Sequence, residues 1–129
     1  MTTLEARGYE EICRRHVAAR ADRGELPFGV LDVGRMWDGR AEIDVAGIDR
    51  RSGVALIGEC RWRRGRRMDI EVLDELRAKA AAMRPLRGLT LHCALFSRGG
   101  FSTALERRAR REGVLLVEGV PGVTNRRAS

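Results

Sequence analysis

Ala41-Glu42-Ile43-Asp44-Val45, a loop at Asp49-Arg50-Arg51-Ser52-Gly53, and then Val54-Ala55-Leu56-Ile57-Gly58-Glu59-Cys60-Arg61-Trp62 form the stretch that decides the fold. In the first segment acids alternate with apolar residues, so Glu42 and Asp44 share one face of an extended strand while Ile43 and Val45 take the other. In the second, the same period sets Glu59 and Arg61 on one side and Leu56, Cys60 and Trp62 opposite. The glycine-containing loop between them predicts an antiparallel hairpin. Asp44 and Glu59 then fall on neighbouring strands with Arg61 alongside. Two convergent carboxylates outline a divalent-cation site, and an adjacent cation is what a phosphodiester reaction adds to it.

Upstream, Leu4 to Arg23 reads as a helix with Tyr9, Ile12, Cys13, His16 and Val17 as its apolar stripe. His16 there is expected to be a hydrogen-bonded core residue. At about 100° per residue Glu10 lies on the flank of that stripe and Glu11 points away from it. A loop at Glu25-Leu26-Pro27-Phe28-Gly29 leads to a strand from about Val30 to Trp37, and Asp38-Gly39-Arg40 is a tight turn.

Downstream, Arg63-Arg64-Gly65-Arg66-Arg67 is a basic loop, and Asp69 is the expected N-cap of a helix reaching Met83, shut off by Pro85. Val72, Leu73, Leu76, Ala80 and Met83 form its stripe, with Lys79 on the stripe's edge. A strand over Leu89 to Phe96, a glycine-rich turn at Ser97-Arg98-Gly99-Gly100-Phe101, a helix with a Thr103/Glu106 capping box and a strand over Val114 to Val117 complete the chain. Trp37 and Trp62 fall opposite the acid face of their strands or near its ends and are expected in the core rather than as base-stacking platforms. The order αβββαβαβ implies an α/β domain with a mixed sheet whose first three strands form a meander flanked by helices. Residues 1–120 are expected to form one domain and 121–129 a flexible tail.

The chain has 129 residues and a net charge of +7, which favours polyanionic partners. Lys79 is the lone lysine among 25 cationic residues. Cys13, Cys60 and Cys93 are odd in number and widely spaced, which suits reduced thiols. His92 and Cys93 point to opposite faces of their strand and there is no Cys-x-x-Cys pair, which argues against zinc. No apolar run reaches the roughly 18 residues of a membrane span, so a cytoplasmic protein without membrane contact is expected.

At this point the residues resemble the PD-(D/E)XK nuclease superfamily. Its core runs helix, three-strand meander, helix, strand, with an acid on the second strand and acid-x-lysine on the third. Asp44, Glu59 and Arg61 stand at those positions, and Gly8-Tyr9-Glu10 is similar to the first-helix motif. Gly34-Arg35-Met36-Trp37, Glu42-Ile43-Asp44-Val45, Gly58-Glu59-Cys60-Arg61-Trp62 and Phe96-Ser97-Arg98-Gly99-Gly100-Phe101 further resemble the C-terminal domain of unknown function carried by archaeal-type P-loop ATPases, over about residues 8 to 118. No Gly-x-x-x-x-Gly-Lys-[Ser/Thr] loop occurs here, so the ATPase portion is absent.

The resemblance implies a restriction-endonuclease-like fold, DNA as partner and Mg²⁺ or Mn²⁺ held by Asp44 and Glu59, with Glu10 as an outer ligand or water orienter. A separate P-loop ATPase and a homodimer are the other expected partners. Arg61 departs from the motif, because a guanidinium stays charged and cannot act as a base. Lys79 either covers apolar surface with its stem or supplies the ammonium missing at position 61. Arg63, Arg64, Arg66 and Arg67 are either a solvated cluster or a clamp on the phosphate backbone. Glu42 reads as a partner for surface arginines. Two functions stay open: a metal-dependent DNA endonuclease, with Asp44, Glu59, Arg61, Lys79 and Glu10 in its site, or an inactive nuclease-fold module that binds and regulates.

Overall fold

Thr3 to Asp22 form the first helix, α1, and its buried line is Tyr9, Cys13, Val17 and Ala21, each one turn above the last. Two residues expected in that stripe lie beside it. Ile12 is 37% exposed, and His16 sits edge-on to Phe96 with its Nε2 buried and lacking the hydrogen bond expected of it. The computed structural model describes residues 3–27, 29 and 32–121. The expected strand start at Val30 and the tail from 122 to 129 lie outside the described residues.

Strands β1 (Asp32–Trp37), β2 (Glu42–Asp49) and β3 (Val54–Arg61) pair antiparallel in chain order. Aspartates close both turns. Asp38 Oδ1 accepts from the amides of Arg40 at 2.9 Å and Ala41 at 2.8 Å, and Asp49 Oδ1 from Arg51 at 3.1 Å and Ser52 at 3.4 Å. Gly39 at φ +92° supplies the left-handed residue that the first turn needs.

Helix α2 (Ile70–Ala82), β4 (Thr90–Ser97), α3 (Thr103–Glu112) and β5 (Leu115–Glu118) follow, with a 3-10 turn at Arg84–Leu86 where Pro85 prevents α2 from continuing. β4 runs parallel to β3 and β5 parallel to β4, giving a five-stranded mixed sheet in the order β1-β2-β3-β4-β5. The element order is the αβββαβαβ expected from the sequence. Among the described residues no helix is long and apolar enough to cross a membrane.

Both sheet faces are covered. On one, Leu73, Leu76 and Ala80 of α2 and Leu105 and Ala109 of α3 pack against Ala55, Ile57, Cys93 and Leu95. On the other, Tyr9, Cys13 and Val17 of α1 pack against Val45, Leu56, Cys60, Ala94 and Phe96. A fully buried Leu or Phe contributes about 1.5–3 kcal/mol. Because β3 is buried on both faces, its first half reads as a continuous apolar run. Gly58 lies where strands crowd: a Cβ would meet the Ala94 carbonyl oxygen at 2.9 Å and the Val45 Cβ at 3.1 Å.

Three expectations are corrected. The N-cap of α3 is Ser102, not Thr103: its Oγ accepts from the Leu105 amide at 3.1 Å and donates to Asp69 Oδ1 at 2.7 Å, so the caps of α2 and α3 hold each other. Trp37 is 71% exposed rather than core, because β1 is the edge strand and Trp37 its last residue. Trp62 does pack, between the Tyr9 ring at 5.1 Å and the Arg98 guanidinium at 4.0 Å. Finally, Ile43 and Val45 do not share a face. Gly34 to Met36 on β1 is matched by Ala46 to Ile43 on β2, so β2 holds one extra residue, a bulge around Asp44 and Val45. Ile43 consequently joins the α2 side of the core and Val45 the α1 side.

Candidate functional site

The bulge sits at the end of the β2–β3 ladder, which runs from Asp49↔Val54 to Val45↔Gly58. Beyond that point side chains take over from backbone pairing. The Cys60 amide donates to Asp44 Oδ2 at 3.0 Å, and Arg14 Nη1 donates to the Asp44 carbonyl at 2.9 Å. Asp44 is thereby held by β3 on one side and by α1 on the other. Glu10, on the flank of α1 as its helical position predicts, meets it there. Carboxylate oxygens of Glu10, Glu42 and Asp44 lie within 4.8 Å of one another. Arg14 stands 3.9 Å from Glu10, and Arg35 Nε stands 3.4 Å from Glu42.

Burial and neighbouring negative charge raise the proton affinity of Asp44 and Glu10. The Asp44 carboxyl is pushed up to about 7, first by burial and then by the charge of Glu59, with Glu10 and Glu42 adding to it and the Cys60 amide opposing. Glu10 is also raised, by burial and then by Glu42, against the pull of Arg14, Arg35 and Arg7. Perturbation of this kind is common to functional sites and to structural ion-pair networks.

Glu59 stands outside the trio and is only 5% exposed. Its Oε2 pairs with Arg61, on the same side of β3 as alternation predicts. Its Oε1 is buried without a hydrogen-bond partner, 3.6 Å from Lys79 Nζ. Lys79 also donates to the Glu42 carbonyl at 3.3 Å. The lone lysine therefore reaches from α2 across the place where β2 and β3 part, touching both. Glu10, Glu42 and Asp44 form a cluster of carboxylate oxygens that could hold a metal ion, and Glu59 stands beside it with one buried oxygen unsatisfied.

From the sequence Glu42 is expected only as a partner for surface arginines, and Arg14 is not a site candidate. Glu42 does pair with an arginine as expected, yet it also completes the trio; its shared strand parity with Asp44 was the available signal. Arg14 lies one turn after Glu10, which places it on the same flank, but nothing local reveals that it grips Asp44.

The basic loop follows immediately. Arg63, Arg64, Arg66 and Arg67 are all exposed, and Arg63, Arg66 and Arg67 join Arg61, Asp69 and Glu71 in lining a groove of about 450 Å³. Arg61 thus belongs both to this groove and to the Glu59 pair. The loop is stitched down: the Met68 amide donates to the Gly100 carbonyl and the Ser102 amide to the Met68 carbonyl, each at 2.9 Å. A Cβ on Gly99 would lie 2.2 Å from the Arg66 carbonyl oxygen.

A family profile described as DUF234, archaea bacterial proteins of unknown function, matches residues 3–77. No curated protein matches the chain. Among solved structures it is similar to the MspJI restriction endonuclease in complex with a 27-mer oligonucleotide, at 15% identity and a TM-score of 0.59, over 88% of this chain and 26% of that one. A repair endonuclease from Pyrococcus abyssi matches at 12% identity and a TM-score of 0.52, over 82% of this chain and 45% of that one. The protein of unknown function AF1548 matches at 18% identity and a TM-score of 0.51, over 85% and 57%. The chain therefore spans between about a quarter and just over half of those chains, and what it shares with them is the restriction-endonuclease-like fold.

Proposed function

The chain belongs to the DUF234 family of archaeal and bacterial proteins and has a nuclease fold, and from that premise we propose that it is a divalent-metal-dependent phosphodiester hydrolase acting on DNA. The observation that carries this reading is Lys79, whose ammonium lies 3.6 Å from the unsatisfied Oε1 of a buried Glu59. In the motif that β2 and β3 resemble, an ammonium belongs beside that acid. Here it arrives from α2.

Asp44 and Glu59 would hold Mg²⁺ or Mn²⁺, with Glu10 and Glu42 as outer oxygen donors. Such an ion, when bound, lowers the pKa of water and neutralises phosphate charge. The remaining work falls to this chain's own groups. Lys79 orients water and, once its ammonium has released a proton, accepts one from that water as the free amine, a role closed to Arg61. Arg61, 41% exposed at its side chain, faces the groove and stabilises the charge gathering on the phosphate as the water oxygen bonds to phosphorus and the leaving oxygen departs. Arg63, Arg64, Arg66 and Arg67 hold the strand by its phosphates.

A second reading is favoured by one contact. Arg61 occupies Oε2 of Glu59, an oxygen that a cation would use, as expected of a module that kept the fold and binds without cleaving. Incubation of supercoiled DNA with the protein and Mg²⁺ or Mn²⁺ separates the two. The enzyme reading expects cleavage that EDTA stops, falls at least about 100-fold in Lys79→Met, and is kept or raised in Arg61→Lys. Metal-independent DNA binding with no cleavage by the parent or by Arg61→Lys would establish the binding module instead.

A further inference from the structure

Trp37 is a large apolar side chain placed where the fold has no use for it. It is 71% exposed, on a strand end fixed by the two amide hydrogen bonds to Asp38. Its position relative to the acids is set by the sheet. Trp37 is the direct cross-strand partner of Glu42, and paired residues of an antiparallel ladder stand on the same face with Cβ atoms about 4.5–5.5 Å apart. Arg35, two residues earlier and so also on that face, reaches the Glu42 carboxylate at 3.4 Å. Trp37 therefore stands on the face of the sheet that carries Glu42 of the acid trio, with Arg35 on the same face and the exposed Arg40 in the following turn.

This arrangement selects its ligand. An aromatic face next to guanidinium groups suits a π-system carried on a phosphate backbone, and base-on-aromatic stacking of this kind holds single strands whatever their sequence. In an intact duplex both faces of each base are covered by neighbouring bases. Only an unpaired base can use the indole. We propose that Trp37 is a stacking platform for an unpaired nucleobase next to the scissile phosphate, so that the favoured substrate class is DNA with a single-stranded segment at the cleavage point, such as a fork or flap. This rests on the DNA-hydrolase reading above and narrows its substrate.

The test compares a forked oligodeoxynucleotide with a blunt duplex of matching sequence. Binding is followed by anisotropy, with Ca²⁺ present to neutralise the acids, and tryptophan emission is recorded in parallel. The parent should bind the fork more tightly, with quenched emission. Trp37→Ala should lose the quench and weaken fork binding by roughly 5- to 100-fold, the range for one stacked base, while duplex affinity stays within twofold. Trp37→Phe, which keeps an aromatic face, should recover most of the lost affinity. Fork binding and quenching in Trp37→Ala equal to the parent's overturn the platform while leaving the hydrolase reading intact; that outcome is also expected if the indole serves a protein partner. Failure of the parent to bind either DNA refutes the hydrolase reading, and the platform with it.

Discussion

Asp44→Asn should make the metal-free protein more stable above pH 7, although it removes the residue most central to the proposed site. The folded state holds the Asp44 proton with a pKa of about 7 against an ordinary 3.8. A group raised in this way contributes its full share of stability below the unfolded pKa near 4, and loses it as pH climbs through 7. Above that, folding must keep a desolvated carboxylate crowded by Glu59, Glu10 and Glu42. Each tenfold change in proton affinity is worth ~1.4 kcal/mol, so the ceiling is about 4 kcal/mol, and relaxation of the splayed strand end should leave roughly half of it. Asparagine keeps the shape and the oxygen that accepts from the Cys60 amide, so little is lost in exchange. For a domain of this size roughly 2 kcal/mol raises Tm by about 6–10 °C. Thermal unfolding in EDTA from pH 4 to 8 measures it: the gain should be absent at pH 4 and complete by pH 8. Mg²⁺ or Mn²⁺ should raise the parent's Tm by mass action and leave the variant's unchanged. An Asn variant less stable than the parent at pH 8, or a difference that ignores pH, would falsify this account of Asp44.

The basic loop and its support make two further predictions. Replacing Arg63, Arg64, Arg66 and Arg67 with serine should weaken binding to any DNA sequence and flatten the dependence of log affinity on log salt by up to about 3–4, near one for each phosphate that is no longer neutralised; an unchanged slope in a salt titration removes the loop from the interface. Gly99→Ala should cost roughly 1–3 kcal/mol in denaturant unfolding, since its Cβ would lie 2.2 Å from the Arg66 carbonyl oxygen and 2.8 Å from that of Arg63. Backbone atoms cannot swing aside, so DNA affinity should fall as well; a variant of parental stability and affinity would show that the loop is loosely held.

Local pattern carried the fold a long way. Period-two alternation in Val54 to Arg61 separated Glu59 and Arg61 from Leu56 and Cys60, and the separation holds because strand geometry leaves a side chain only two directions. Helical spacing put Glu10 on the flank of α1 and Lys79 on the edge of α2, and both end at the site. The αβββαβαβ order followed from the turns and caps, which depend on neighbours in sequence. Everything misread depends instead on residues far apart in the chain. The bulge that turns Val45 away from Ile43 is a mismatch between two strands, invisible in either. Ser102 rather than Thr103 caps α3, and its hydroxyl is also bound to Asp69, 33 residues away. Trp37 is expected in the core from its place on its strand and is exposed because β1 is an edge. The sequence by itself determined which residues could carry charge to one end of the sheet. Tertiary structure alone decided that Glu42 completes the acid trio, that Arg14 grips the Asp44 carbonyl and that Lys79 reaches Glu59, because such contacts depend on how strands part and helices pack.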